Sequence, residues 1–254
     1  MSATQAGYEA YLEYLGSLRS SGASYFLEGG QAVNFWAEYV DSRVQGQPLS
    51  PLRPFTSKDC DIWVNSDTWE KLKRDPQLRQ GSSPADGQLG ILTLSEDPPR
   101  VVDVLSSVYG IAVKEYPRLL ERALDDGLMR VIDPLNLFLS KCHCLLGLPQ
   151  GDRQDQRHVQ MLALILPQYF SLLISDVESG EVQARKFLLE IKLLRKFASS
   201  GPCRRAMQKL GINPASLIPW PTLVSSSSEI LSKFARSQQP ASASLVGLPQ
   251  ACKA

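Results

Sequence analysis

Hydrophobic positions in the first half of the chain predict helices and strands in alternation. Apolar side chains at helical spacing over residues 5–20 predict an amphipathic helix that covers a sheet. Shorter apolar runs predict four further elements: a strand at 25–27, a helix at 32–40, a strand at 59–64 and a helix at 68–74 capped by Ser66 or Asp67.

The middle of the chain predicts a hairpin. Apolar runs at 89–94 and 100–105 are separated by a turn at 95–99 that contains two prolines. The Gly-, Ser- and Pro-rich residues 80–88 predict a loop, and a last strand is expected at 128–132.

From Pro134 onwards the pattern predicts helices only. Pro134 suits a first helical position, and Leu135, Leu139, Cys142 and Leu146 would share one face. Further elements are expected in this order: helices at 152–166, 168–175 and 180–197, and a poorly ordered Pro- and Ser-rich tail from residue 225 with one short helix at 229–235.

Together these elements predict an α/β (α+β) protein, in which a mixed β-sheet flanked by helices is followed by a helical C-terminal domain. The chain has 254 residues and is 43% hydrophobic, so it can bury the core of two modest domains. We expect boundaries at 1–133 for the sheet domain, 134–212 for the helical domain and 213–254 for the largely disordered tail.

Composition argues against a membrane or secreted protein. No apolar run approaches the ~18 residues of a membrane span, and the N-terminus lacks the plan of a signal peptide, so we expect a cytoplasmic protein. Five cysteines form no regular framework, which favours reduced thiols. Cys142-His143-Cys144 is more typical of buried thiols on a helix than of zinc, because adjacent helical side chains point about 100° apart.

Three aspartates carry the most informative chemistry. Asp59 and Asp61 are two residues apart at the predicted strand 59–64, so their carboxylates would leave the same face. Such a pair is often only a cap or a turn. Asp103 lies between Val102 and Val104 in an apolar strand, where a carboxylate is costly to bury unless it meets cations or water. The three acids therefore favour a divalent metal site.

A glycine pair adds an anion-binding element. Gly29 and Gly30 lie between the predicted strand 25–27 and the predicted helix 32–40. Glycines at a strand-to-helix turn let backbone amides approach a ligand closely, and a helix N-terminus favours anions. The sequence thus predicts phosphate bound beside a divalent metal ion.

This order of motifs resembles the nucleotidyltransferase superfamily with the DNA polymerase β-like fold. The likeness is greatest to the abortive-infection (AbiEii-type) toxin nucleotidyltransferases and spans roughly residues 25–165. The following stretches carry it: Leu27-Glu28-Gly29-Gly30-Gln31-Ala32, residues 55–62 around Asp59-Cys60-Asp61, Val102-Asp103-Val104-Leu105, Ile132-Asp133-Pro134 running into Ser140-Lys141, and more faintly Arg153-Gln154-Asp155 with His158 where the family often has an acid.

The resemblance implies a fold, an activity and roles for individual residues. The fold would be a nucleotidyltransferase-type mixed sheet, and the activity an NTP-dependent transfer that uses Mg²⁺ or Mn²⁺. Asp59 and Asp61 would hold both ions, and Asp103 the ion that activates the acceptor hydroxyl. The resemblance also implies a set of nucleotide contacts: Gly29 and Gly30 as the phosphate cradle, Gln31 where many relatives have Ser or Thr, Lys141 reaching the triphosphate, and Asp155.

A basic run follows the predicted helical domain. Between residues 185 and 209 there are eight Lys and Arg residues and one acid, Glu190. Such clustering is typical of a phosphate-backbone partner, although a solvated helix face has the same pattern. We expect Arg195, Lys196, Arg204 and Arg205 to contact RNA.

Three functions stay open on the sequence. The first is transfer of a nucleotide to RNA, with a tRNA end as one candidate, by the toxin of a toxin–antitoxin pair that has a protein antitoxin as its partner. The second is transfer to a small molecule or a protein hydroxyl. The third is a non-catalytic binding scaffold, because a fold alone does not fix a function.

Overall fold

A seven-stranded mixed sheet organises the protein in a computed structural model that describes residues 5–81 and 87–243, with side chains to residue 238. In space the strands follow the order β3-β4-β5-β2-β1-β7-β6. Their bounds are β1 Tyr25–Glu28, β2 Cys60–Val64, β3 Leu78–Gln80, β4 Gln88–Glu96, β5 Pro99–Leu105, β6 Leu124–Asp125 and β7 Arg130–Val131.

Helices flank the sheet and dominate the second half of the chain, which confirms the predicted α/β (α+β) class. Within the described residues they are α1 Leu12–Ser20, α2 Gly29–Asp41, α3 Ser66–Leu72, α4 Tyr116–Arg122, α5 Pro134–Gly147, α6 Asp155–Ser179, α7 Ala184–Ser199, α8 Gly201–Leu210, α9 Trp220–Ser225 and α10 Glu229–Ala243.

The centre of the sheet sets the position of the acidic residues. β1 runs antiparallel to β2 and pairs Glu28 with Asp61. β2 runs parallel to β5 and pairs Asp61 with Asp103. Because paired residues of neighbouring strands project from the same face, Glu28, Asp61 and Asp103 form a row across three strands.

Helices α2, α5 and α6 pack against one another beside the sheet. α6 has 25 residues and a mean hydropathy of 1.3 over its most apolar 18, so by length and composition it could cross a membrane. Val159, Leu162 and Phe170 of this helix are fully buried in a hydrophobic cluster that also contains residues of β1, β2 and β5. α6 therefore serves as a packed core helix. The predicted boundaries at 133 and 212 stay predictions.

The structure corrects the helix expected at 152–166 and its neighbour at 168–175. One helix, α6, spans both segments and contains Pro167. The sequence suggested a break because proline usually ends a helix. Here Leu166 and Phe170 are both fully buried, one on each side of Pro167, so packing keeps the helix continuous.

Several helix ends and faces also differ from the predictions. α3 is capped by Asn65, whose side chain accepts from the Thr68 amide, rather than by Ser66 or Asp67. On α5 the expected apolar face includes Leu146, but this side chain is exposed. α5 packs against helices on several sides, so its buried positions form no single stripe.

Short elements and the tail were the least predictable parts. The sequence pattern missed β3, β6, α4 and α8, which have ten residues or fewer. The tail is more ordered than predicted up to residue 243, because Trp220 of α9 stacks on Phe234 of α10 and Leu231 is fully buried. Residues 82–86 of the predicted loop and 244–254 of the predicted tail lie outside the described residues.

A buried ion-pair network joins α4, α5 and α7. The Arg122 guanidinium donates to Asp133 at 3.1 and 3.2 Å and to Glu190 at 2.6 and 2.7 Å. Asp133 also caps α5, because it accepts from the amides of Leu135 and Asn136. Glu190, the one acid in the basic run 185–209, is thereby paired inside the protein.

Replacement of Arg122 by Met should destabilise the fold strongly. The change leaves two largely buried carboxylates without their cation, which costs roughly 3 kcal/mol in the free energy of unfolding. Arg19→Met is the matched control, because Arg19 and Asp125 form a solvent-exposed pair, and such pairs contribute little to stability. Urea unfolding of the two variants checks the prediction, and equal losses would contradict it.

Candidate active site

One cavity of about 290 Å³ brings together the three predicted metal ligands and the glycine turn. Asp59, Asp61 and Asp103 line it together with Gly30. β2 begins at Cys60, so Asp59 immediately precedes the strand rather than lying in it. Asp61 keeps its expected place beside Asp103 in the sheet register.

The glycine pair forms the first turn of α2, which begins at Gly29 and thus three residues earlier than predicted. The first amides of a helix have no partner inside the helix and carry partial positive charge. Gly29 has a φ of +68°, and a Cβ there would overlap the Asp61 carboxylate. A Cβ on Gly30 would lie 2.5 Å from Ser57 Oγ. Only glycine lets the helix start so close to the acids.

The acid row has unfavourable electrostatics in the absence of cations. Burial, together with repulsion from Asp59, raises the pKa of Asp61 from 3.8 to about 7 and that of Asp103 to about 6. Burial and the charge of Asp61 raise the pKa of Glu28 from 4.5 to about 8. Glu28 Oε1 is also buried without a hydrogen-bond partner among the described residues. Each of these carboxylates would be stabilised by nearby positive charge.

The donor chemistry fits a hard divalent cation. Within residues 5–81 and 87–243, no group of three or more His, Cys, Asp or Glu side chains forms a ready-made metal site. The cavity nevertheless offers carboxylate oxygens from Asp59, Asp61 and Asp103, which Mg²⁺ and Mn²⁺ prefer, and Mg²⁺ usually keeps several waters and takes further ligands from substrate phosphates. These three residues would hold the ions.

Positive charge lines the same cavity as the acid row. Lys141 is only 6% exposed, so it is not the surface lysine that an isolated mid-helix position suggests. Its Nζ lies 3.3 Å from Asp155 Oδ1, and Arg153 Nε lies 2.6 Å from Asp155 Oδ2. Burial lowers the pKa of Lys141, but the neighbouring Cys144, Asp155 and Asp61 more than offset this effect and the pKa stays above its ordinary value. Asp155 therefore holds two cations at the cavity wall.

Some predicted site residues do not meet at this cavity. Gln31 is fully buried, where Nε2 donates to the Ala6 carbonyl and Oε1 accepts from Asn34, and it does not line the cavity. The expected RNA contacts lie on exposed faces of α7 and α8, also outside the cavity: Arg195, Lys196, Arg204 and Arg205.

The structure adds residues to which the sequence gave no role at the site, although His158 belongs to a stretch that carries the family resemblance. Ser57, Lys58 and His158 line the cavity, and Glu28 extends the acid row. Ser57 and Lys58 directly precede Asp59, so adjacency was a usable signal. For His158 the signals were its place in the stretch that carries the resemblance and its position three residues after Asp155, which puts both on one face of α6.

Metal-free protein should lose stability as the pH rises from 6.5 to 8. Folded-state pKa values above the unfolded values mean that the folded protein binds more protons in this window, so the free energy of unfolding falls with pH. Asp61 and Glu28 together predict a loss of roughly 2 kcal/mol. Buried His158, whose pKa in the folded protein lies well below the ordinary 6.5, contributes a smaller effect of opposite sign that is confined to the lower end of this window.

Urea unfolding in EDTA at several pH values measures this slope. Glu28→Gln should flatten it, whereas Glu13→Gln, a change at an exposed position, should leave it unchanged. A slope that is the same in both variants would show that the Glu28 carboxyl is not a source of the pH dependence.

Gly29→Ala should destabilise the protein more than Gly127→Ala does. Both glycines have positive φ, which costs a residue with a Cβ about 1 kcal/mol. Only Gly29 would in addition push a Cβ into the Asp61 carboxylate, since Gly127 has open space around it. Chemical denaturation of the two variants makes the comparison, and equal losses would show that Gly29 and Asp61 are not in tight contact.

Comparisons with known proteins add little to this geometry. No protein-family model matches the chain, and no curated protein matches it at a significant level. Among solved structures, it is similar to the crystal structure of an antigenic nucleotidyltransferase-like protein from Paracoccidioides brasiliensis. The two share 15% sequence identity over 83% of this chain and 97% of the other, with a TM-score of 0.40. At that score the similarity establishes no shared activity, and the chemistry of this chain rests on its own side chains.

Proposed function

We propose that this protein is a nucleotidyltransferase that moves a nucleotide from an NTP to an acceptor hydroxyl, with RNA as the favoured acceptor. The observation that carries the proposal is the meeting of Asp61, Asp103 and the glycine start of α2 at one cavity. Acids alone would suit a cation, and a helix start alone would suit an anion. Both together suit the metal-bound triphosphate of a nucleotide.

The triphosphate would occupy the part of the cavity between Gly30 and the cations Lys141 and Arg153. The Gly30 amide can donate to phosphate oxygens, and Lys141 and Arg153 supply positive charge from the α5 and α6 side. Lys58, which pairs with exposed Asp152 at 3.5 Å, offers a third cation on the β2 side. The phosphates would thus meet Lys58 beside β2, and Lys141 and Arg153 beside α5 and α6.

The reaction is a displacement at phosphorus. The acceptor oxygen forms a bond to the α-phosphorus, the bond from that phosphorus to the bridging pyrophosphate oxygen breaks, and pyrophosphate leaves. The hydroxyl proton passes to a carboxylate oxygen of Asp103, which lines the cavity. Mg²⁺ or Mn²⁺ bound to Asp59, Asp61 and Asp103 would supply positive charge that stabilises the attacking and leaving oxygens.

The acceptor is favoured to be RNA because of the exposed basic faces of α7 and α8. Glu190, the one acid of the run 185–209, is paired with Arg122 and does not neutralise the basic residues of that run. Four of these basic side chains are exposed to solvent: Arg195, Lys196, Arg204 and Arg205. Their position outside the cavity suits contacts to the backbone of a large acceptor. The same position is also compatible with the alternative acceptor, a hydroxyl of a small molecule or of a protein. A role as the toxin of a pair with a protein antitoxin stays a prediction.

Labelling of defined pools tests the activity and its acceptor together. Purified protein is incubated with MgCl₂, each α-³²P-labelled NTP, and either total RNA or total protein. We expect labelled RNA, with at least a roughly 100-fold loss in Asp61→Asn and Asp103→Asn, because both variants remove charge from the reacting centre. Asp67→Asn, an exposed change on α3, is the matched control and should label at the wild-type rate.

Each alternative outcome of this experiment has a distinct meaning. Labelled protein without labelled RNA would replace the RNA acceptor by a protein one. Equal labelling by wild type and Asp61→Asn would contradict the catalytic role of the acid row. No labelling in any pool, together with melting temperatures that ignore MgCl₂ and NTP, would leave a non-catalytic scaffold.

A further inference from the structure

Within the part of the chain that the structure describes, His158 is a buried side chain at the cavity wall without a hydrogen-bond partner for its ring. It is 4% exposed, and neither Nδ1 nor Nε2 has a hydrogen-bond partner among the described residues. A buried nitrogen without a hydrogen bond costs about 1 to 3 kcal/mol in stability. The residue is on the first turn of α6, where its backbone amide bonds to the Gln154 carbonyl. The fold therefore holds this ring in place, but no described residue forms a hydrogen bond with its nitrogens.

The ring presents its nitrogen-bearing edge to the phosphate cradle. The Cε1 atom lies 3.1 Å from the point that a Cβ on Gly30 would occupy. In an imidazole, Cε1 is the carbon bonded to both nitrogens, so the edge nearest Gly30 is the one that carries Nδ1 and Nε2. The edge that carries both nitrogens therefore lies against the residue whose amide would bind phosphate.

The ring is neutral in this setting. Burial, and then the positive charges of Lys141, Arg157 and Arg153, lower the pKa of His158 well below its ordinary value, against a smaller opposite effect of Asp155. A neutral imidazole has one N–H donor and one acceptor nitrogen. It can therefore donate to a phosphate oxygen without adding another charge next to Lys141.

We propose that His158 is a nucleotide-binding residue, whose ring N–H donates to a phosphate oxygen of the bound triphosphate at the Gly30 amide. The inference rests on the proposed function and specifies how this chain grips its substrate. It also explains why the ring nitrogens have no hydrogen-bond partner among the described residues, since the ring N–H would donate to the bound ligand. If His158 served only in packing, the loss of its ring nitrogens would not change the affinity for phosphate groups.

Calorimetric titration of the full chain with two kinds of probe tests the proposal. The probes are the four NTPs and inorganic tripolyphosphate, each with MgCl₂, because tripolyphosphate has phosphates but no base or ribose. The variants are His158→Leu, which removes both nitrogens, and His158→Asn and His158→Gln, whose amides stand near the positions of Nδ1 and Nε2. His143→Leu is the matched control, since His143 is the only other histidine and lies on α5 outside the cavity.

We expect His158→Leu to weaken the binding of both probes about tenfold while the free protein melts at or above the wild-type temperature. His143→Leu should bind within about twofold of wild type. Of the two amide variants, the one that replaces the donating nitrogen should keep most of the affinity. This comparison still decides the question if His158→Leu does not fold.

Three outcomes would overturn the assignment. Equal affinity in wild type and all three His158 variants would do so while leaving the proposed function intact. A loss for NTPs but not for tripolyphosphate would move the contact from the phosphates to the nucleoside. If wild type binds neither probe, the proposed function and this inference fall together.

Discussion

The structure around this site depends on one constraint, the parallel pairing of β2 with β5. That register places Asp61 beside Asp103, and the antiparallel pairing of β1 with β2 adds Glu28 to the same row. The row is partly desolvated, so carboxylates repel one another where water cannot screen them, and their pKa values rise. A fold that keeps three acids in such a place gives up stability in the absence of positive charge. Positive charge at the row would remove this cost, and this supports the proposed metal site.

The remaining elements of the site supply charge of the opposite sign. α2 begins directly against Asp61, so its first amides and partial positive charge face the cavity. Lys141 on α5 is fixed by Asp155 on α6, and Arg153 shares the same carboxylate. Both cations are held at the cavity wall by Asp155, which is buried on α6. Acids, helix amides and cations around one cavity can hold a metal ion and the phosphates that share it.

Local patterns made part of this arrangement predictable. The spacing of Asp59 and Asp61 and the apolar surroundings of Asp103 were sufficient to select the acids, but not to bring them together, because register depends on strand pairing across about forty residues of chain. The start of α2 at Gly29 was missed, since glycine disfavours helices on average. Gln31 followed the glycines in the sequence, yet its amide bonds to Ala6 and Asn34, in contacts that only the folded chain shows. The sequence named His158 only as the position of a family acid, and it became a candidate phosphate contact when the structure placed Gly30 beside its ring.

A crystal structure with Mn²⁺ and a non-hydrolysable nucleoside triphosphate analogue tests the central claim most directly. The account predicts anomalous Mn²⁺ density at the carboxylates of Asp61 and Asp103, with the triphosphate on the Gly30 amide and within reach of Lys141. Density for the analogue at another cavity, or Mn²⁺ bound away from the acid row, would contradict it.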